Sequence, residues 1–286
     1  MTDIRFPTVA VLGAGTMGAG IAQVCAQAGA RVLLQDVEQP FVDKGLARVR
    51  ESLATGVQKQ KVTQAVADAA LARLSTTTDR AAAARGADLV IEAVPEVLDL
   101  KNSLFRELAA LCKPAAVLAT NTSSLSLAKV FAGVPGPGRC IGMHFFNPPP
   151  IMKLLEVVRT NATAQPTIDA VLAFAVQCGK EPILVQDSPG FASSRLGVCL
   201  GLEAIRMVEA GVASAEDIDK AMVLGYGHPM GPLRLTDLVG LDVRMAIADY
   251  LKKELDHPGF EVPKLMRDMV TQNKLGKKTG QGFYRW

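Results

Sequence analysis

TVAVLGAGTMG, residues 8–18, is an apolar strand that runs straight into a glycine-rich turn. Residues 9–12 are continuous apolar strand, and beyond Gly13-x-Gly15-x-x-Gly18 the period turns helical through Ile21, Val24, Cys25 and Ala28. Gly13 suits the tight turn, Gly15 a close approach of backbone to a pyrophosphate, and Gly18 the packing of the new helix on its strand. Thr16 and Met17 open that helix, whose unsatisfied N–H groups and positive dipole end face the phosphates. A second strand, residues 31–34, follows and ends in Asp36. An acid roughly 20 positions past the glycines can accept both adenosine ribose hydroxyls and repels a 2′-phosphate, which points to NAD rather than NADP.

The 286 residues, 49% hydrophobic, suffice for one large core or two smaller ones. A formal charge of +3 is too slight to indicate nucleic-acid binding, and no nucleic-acid motif is present. The five cysteines, Cys25, Cys112, Cys140, Cys178 and Cys199, are scattered without ligand spacing, which suggests reduced thiols and no metal. No apolar run reaches the ~20 residues that span a bilayer. Arg5 ahead of an apolar stretch resembles a signal peptide, but that stretch is the nucleotide-binding strand, so a cytoplasmic protein is expected.

Outward from the turn, helical spacing over 41–53 and 63–74 flanks the basic segment Gln58-Lys59-Gln60-Lys61, as expected of a helical hairpin inserted in the crossover. Its Arg48, Arg50, Lys59 and Lys61 could meet a phosphorylated substrate, or simply form a solvated face. Strands are expected at 74–77, 87–94, 116–120 and 140–146, and a helix at 99–111. Asn121 and Ser123 follow the 116–120 strand, where doubly wound sheets bind ligands. Three prolines, Pro148 to Pro150, force a turn, and 152–158 reads as a returning strand. A helix over 168–178 and a strand over 182–185 complete a Rossmann-like α/β domain, residues 1–187. Residues 188–286 read as all-helical: 191–209, a helix capped by Ser214, 233–255 broken at Gly240, and 262–274. Such a bundle suits substrate binding and dimerisation.

His144 stands at a strand end beside the nucleotide turn, whereas His228 and His257 lie in proline-containing turns. Glu156, inside LLEVV, is a carboxylate that is costly to bury unless paired, and a returning strand brings it toward His144. A His–carboxylate pair fixes the imidazole tautomer and suits a general base that removes a hydroxyl proton as hydride leaves the adjacent carbon. The combination argues for alcohol–ketone oxidoreduction.

GAGTMGAGIA, IEAVPE, ATNTSSLS, IGMHFFNPPPIMKLLEVV, GHPMGPL and KLGKKTGQGFY together resemble the 3-hydroxyacyl-CoA dehydrogenases, above all the bacterial 3-hydroxybutyryl-CoA dehydrogenases, over nearly the whole chain. The resemblance implies His144 as general acid/base oriented by Glu156, with Ser123 hydrogen-bonded to the reacting oxygen. It also implies Glu96, Lys101, Asn121 and Lys278 near NAD, Asn147 near the active centre, Lys59 by the CoA, and a homodimer through the helical domain. One departure stands in PGFASSR: Ser194 occupies the position where the family pattern has a substrate-binding asparagine. A dehydrogenase of a small free hydroxy acid, or a non-catalytic NAD-binding protein, are the alternatives.

Overall fold

The structure is a computed structural model describing residues 4–286. The chain divides into two compact units, Met1–Asp187 and Ser188–Trp286. Among the described residues of the first, eight strands form one sheet in the order β3-β2-β1-β4-β5-β6-β7-β8. They are β1 (Thr8–Leu12), β2 (Arg31–Gln35), β3 (Leu74–Thr77), β4 (Leu89–Glu92), β5 (Val117–Thr120), β6 (Cys140–Phe145), β7 (Leu154–Arg159) and β8 (Glu181–Gln186). Strands β1 to β6 are mutually parallel, and β7 turns back antiparallel to β6 with β8 parallel to it.

Helices α1 (Thr16–Gln27), α2 (Gln39–Gln58), α3 (Gln64–Ala72), α4 (Arg80–Gly86), α5 (Leu98–Leu111), α6 (Leu127–Val130) and α7 (Gln165–Gln177) accompany the sheet. The central strands are therefore buried and nearly continuously apolar, as parallel sheets covered on both faces require. Val9, Val11, Ile21, Leu34, Ile91 and Phe174 belong to one core. Strand order reverses between β1 and β4, so the carboxyl ends of these two strands open a crevice where a ligand can enter.

Several boundaries differ from expectation. Helix α2 starts at Gln39, because Pro40 fits a first turn that needs no N–H. The apolar run 87–94 yields only the four residues of β4: the β1 ladder ends at Leu12↔Glu92, and Ala93 turns under the glycine loop. Helix α4 was not expected, since RAAAARG has no polar–apolar alternation; the Asp79 side chain caps it by accepting from Ala82 N–H.

The second unit is helical: α8 (Ser193–Glu209), α9 (Ala215–Tyr226), α10 (Pro232–Val239), α11 (Leu241–Leu255) and α12 (Lys264–Thr271). Leu202, Ile205, Leu233, Leu251 and Met266 fill its core. Ser214 caps α9 by accepting from the Asp217 N–H at 3.1 Å, and Gly240, at φ +107°, separates α10 from α11. Asp219 accepts the N–H groups of Leu233 and Arg234 at the start of α10, together with the Tyr284 hydroxyl. Asp237 accepts Phe283 N–H, Tyr284 N–H and the Trp286 indole N–H. Among the described residues no helix is long and apolar enough to cross a membrane.

Candidate active site

The glycine loop joins β1 to α1 with little room on one side and open space on the other. A Cβ at Gly13, where φ is +99°, would lie 2.6 Å from the Ala93 carbonyl oxygen. At Gly18 it would lie 1.7 Å from the Gly13 carbonyl oxygen, so Gly18 lets α1 close on the loop itself rather than on the strand body. A Cβ at Gly15 would meet nothing within 4 Å. That open face leads to α1, whose N-cap Gly15 supplies no side-chain acceptor for the first N–H groups. The missing acceptor is what a phosphate provides.

Asp36 sits one residue beyond β2 and holds this loop. Its Oδ2 accepts from Ala14 N–H and its Oδ1 from Val37 N–H, each at 2.7 Å. Each oxygen keeps acceptor capacity for a ribose hydroxyl. A cavity of about 700 Å³ opens here, lined by Gly13, Gly15, Thr16, Met17 and Asp36 and walled by apolar Val94, Pro95 and Leu100. The open Gly15 face, the uncapped helix and the acid at the rim fit a bound dinucleotide.

Because β7 returns along β6, the ladder pairs His144 with Glu156 directly. His144 Nδ1 lies 2.7 Å from Glu156 Oε2, with the residues 7% and 0% exposed. An Nδ1–H donated to the carboxylate makes Nε2 the basic nitrogen. Asn121 accepts from the Phe145 N–H through its side-chain oxygen at 2.8 Å, tying the end of β5 to the residue after the histidine.

Sequence reasoning missed a buried network beneath the Asn121–Ser124 loop. Glu92, at the end of β4, accepts from Lys101 Nζ at 2.5 Å, from the Thr120 hydroxyl at 2.6 Å and from Val94 N–H at 2.8 Å. Lys101 is 1% exposed and also pairs with Glu96 at 3.2 Å. Glu96 in turn accepts from the Thr122 hydroxyl and, at 3.1 Å, from Ser123 N–H. Lys101 thus reaches the crevice through Glu96, which positions the Ser123 backbone. The signal was the paired acids of IEAVPE with a lysine five residues on, but only strand order makes Glu92 and Thr120 neighbours.

Asn147 is exposed at the start of the proline turn. Lys180 anchors that turn, donating to the carbonyls of Pro149 and Met152, the latter at 2.8 Å. Burial pushes its ammonium pKa down. A second cavity, about 460 Å³, lies between the α1–α2 side and the proline turn, with Arg48, Ser52, Lys59 and Lys61 in its walls. Arg50, exposed on the same helix, is not among the residues in its wall. Thr16 lines both cavities. In the second unit, Ser194 lies in the first turn of α8, and Lys278 donates to Asp242 at 2.6 Å.

The loop, its acid and the His–carboxylate pair define an NAD-dependent dehydrogenase. Residues 8–188 match the NAD-binding domain of 3-hydroxyacyl-CoA dehydrogenase and residues 190–286 its C-terminal domain, so the chain belongs to the 3-hydroxyacyl-CoA dehydrogenase family. It is 45% identical over 280 residues to a 3-hydroxybutyryl-CoA dehydrogenase of Mycobacterium tuberculosis, covering 97% of this chain and 98% of that one. The mitochondrial hydroxyacyl-coenzyme A dehydrogenase of Rattus norvegicus is 43% identical over 284 residues, covering 97% and 90%. The crystal structure of an (S)-3-hydroxybutyryl-CoA dehydrogenase from Ralstonia eutropha superposes with a TM-score of 0.94 at 42% identity, covering 98% and 99%.

Proposed function

We propose that this chain interconverts a (3S)-3-hydroxyacyl-CoA, 3-hydroxybutyryl-CoA above all, and the 3-oxoacyl-CoA, with His144 as general acid/base. The observation that carries this reading is the buried His144–Glu156 pair on the strand beside Asn121 and Ser123. NAD, when bound, supplies the hydride acceptor, and NADH the donor in reverse. Imidazole Nε2 accepts the C3 hydroxyl proton during oxidation and returns it during reduction. Glu156 holds the ring and offsets the positive charge it gains. Ser123 hydrogen-bonds the reacting oxygen, and Glu96 holds its backbone. The glycine turn (Gly13, Gly15, Thr16, Met17, Gly18), Asp36, Glu96, Lys101 and Asn121 serve the dinucleotide, directly or through one another.

On the substrate side, Lys59 meets the CoA and Asn147 stands near the active centre. The resemblance adds Ser194 and Lys278 as candidate ligand contacts. A homodimer forms through the second unit, where Leu196, Leu224 and Tyr226 are 70%, 81% and 78% exposed. The protein works in the cytoplasm. The test is NADH consumption by purified protein with acetoacetyl-CoA and, separately, with acetoacetate. Turnover with the thioester alone is expected; turnover of the free acid would move the activity to the small hydroxy acids, and turnover of neither would leave an NAD-binding protein.

A further inference from the structure

Arg48 is the basic residue of the hairpin that touches the nucleotide loop. Its helix packs straight onto that loop: a Cβ at Gly45, one turn earlier in α2, would come within 2.7 Å of Ala14 Cβ and 2.8 Å of the Ala14 carbonyl oxygen. Arg48 is half-buried, and its Nη1 donates to that same carbonyl at 3.2 Å. Ala14 is therefore gripped at both ends, its N–H by Asp36 and its C=O by Arg48. Among the described residues no carboxylate pairs with Arg48, and a fork of five N–H donors with one given to Ala14 keeps donors for a ligand. Arg48 is also part of the wall of the second cavity with Lys59 and Lys61, where Glu51 is the acid present. Three cations against one carboxylate favour an anion, and a guanidinium fork matches phosphate oxygens.

We propose that Arg48 is a positioning residue that couples the two ligand sites: a phosphate of the acyl-CoA engages its guanidinium, and the guanidinium so fixed holds the Ala14 carbonyl of the glycine loop. This rests on the reading of the substrate as an acyl-CoA. A half-exposed arginine samples many rotamers, and fixing it opposes binding entropically. Whichever ligand arrives first bears that ordering, so the second binds more tightly, and the gain is reciprocal. Arg50, one residue pair further along α2, lines neither cavity and takes no part.

The experiment is equilibrium titration of NADH, by its fluorescence, into full-length protein with and without saturating CoA. Wild type is expected to bind NADH about 5-fold more tightly with CoA present, and CoA about 5-fold more tightly with NADH. Arg48→Met should still bind NADH alone and, more weakly for want of the phosphate contact, CoA alone, while that factor falls to about one. Arg48→Gln, polar and less disruptive to α2, should behave in the same way because it cannot fork onto a phosphate. Undiminished coupling in either variant, or no coupling in a wild-type protein that turns over acetoacetyl-CoA, overturns the role of Arg48 and leaves the functional reading standing. Lack of acetoacetyl-CoA turnover and of CoA binding removes both.

Discussion

Glu156 in the first unit and Asp237 in the second are equally sequestered, at 0% and 1% exposed, yet they are built for different ends. Glu156 is paired with an imidazole that can gain and lose a proton. Asp237 accepts two backbone N–H groups and an indole N–H, none of which titrates usefully, and Asp219 likewise gathers backbone amides and the Tyr284 hydroxyl. Burial of charge therefore does not by itself set a candidate catalytic carboxylate apart from a structural one; the chemistry of the partner is what differs. The Glu92–Lys101 pair stands between the two, holding structure in place while feeding, through Glu96, into the Ser123 loop.

That contrast can be broken by mutation, and the largest effect should come from His144. His144→Gln is expected to lower turnover of acetoacetyl-CoA by roughly 10²–10⁴ with NADH binding retained, since only the proton shuttle is removed; near-normal kcat would take His144 out of the mechanism. Glu156→Gln should slow turnover by roughly 10² through a poorly held, poorly stabilised imidazole. Its unfolding midpoint in urea should move less than that of Asp237→Asn. In the latter, an amide faces the donors of Tyr284 and Trp286 and costs about 2 kcal/mol or more of stability, while kcat per folded molecule stays close to wild type. If Asp237→Asn instead lost activity at unchanged stability, the distinction between the two carboxylates would collapse. The smallest effect belongs to Asp36→Ala: the preference for NADH over NADPH should narrow by roughly 10-fold, a desolvated ribose contact and a like-charge repulsion being worth a kcal/mol or so. An unchanged ratio of kcat/KM for the two cofactors would count against Asp36 as the discriminating group.

Much of this was legible in the sequence because the informative residues break their local pattern. Three glycines and an acid interrupt apolar strands at fixed spacing, and Glu156 is an isolated carboxylate in an apolar run whose preceding prolines force a reversal. Those irregularities gave the Rossmann-like sheet and the His144–Glu156 pairing. Asn121 bonding to Phe145, Glu92 to Thr120, Lys180 to the proline turn and Arg48 to Ala14 were hidden, because each joins positions that become neighbours only through strand order or helix packing. Helices α4 and α6 were hidden for the opposite reason, being too short or too uniform to show a period.

The opposition of His144 and Glu156 in the β6–β7 ladder also has a mechanical meaning. The proposed acid/base pair is aligned by sheet hydrogen bonds rather than by a loop, so its geometry is as stiff as the ladder and as unforgiving. A slip of one residue between these strands turns one partner to the opposite face of the sheet. The stretch from Asn147 to Lys153 links these two strands, and a change of length there that shifted the register would separate the pair without replacing either residue.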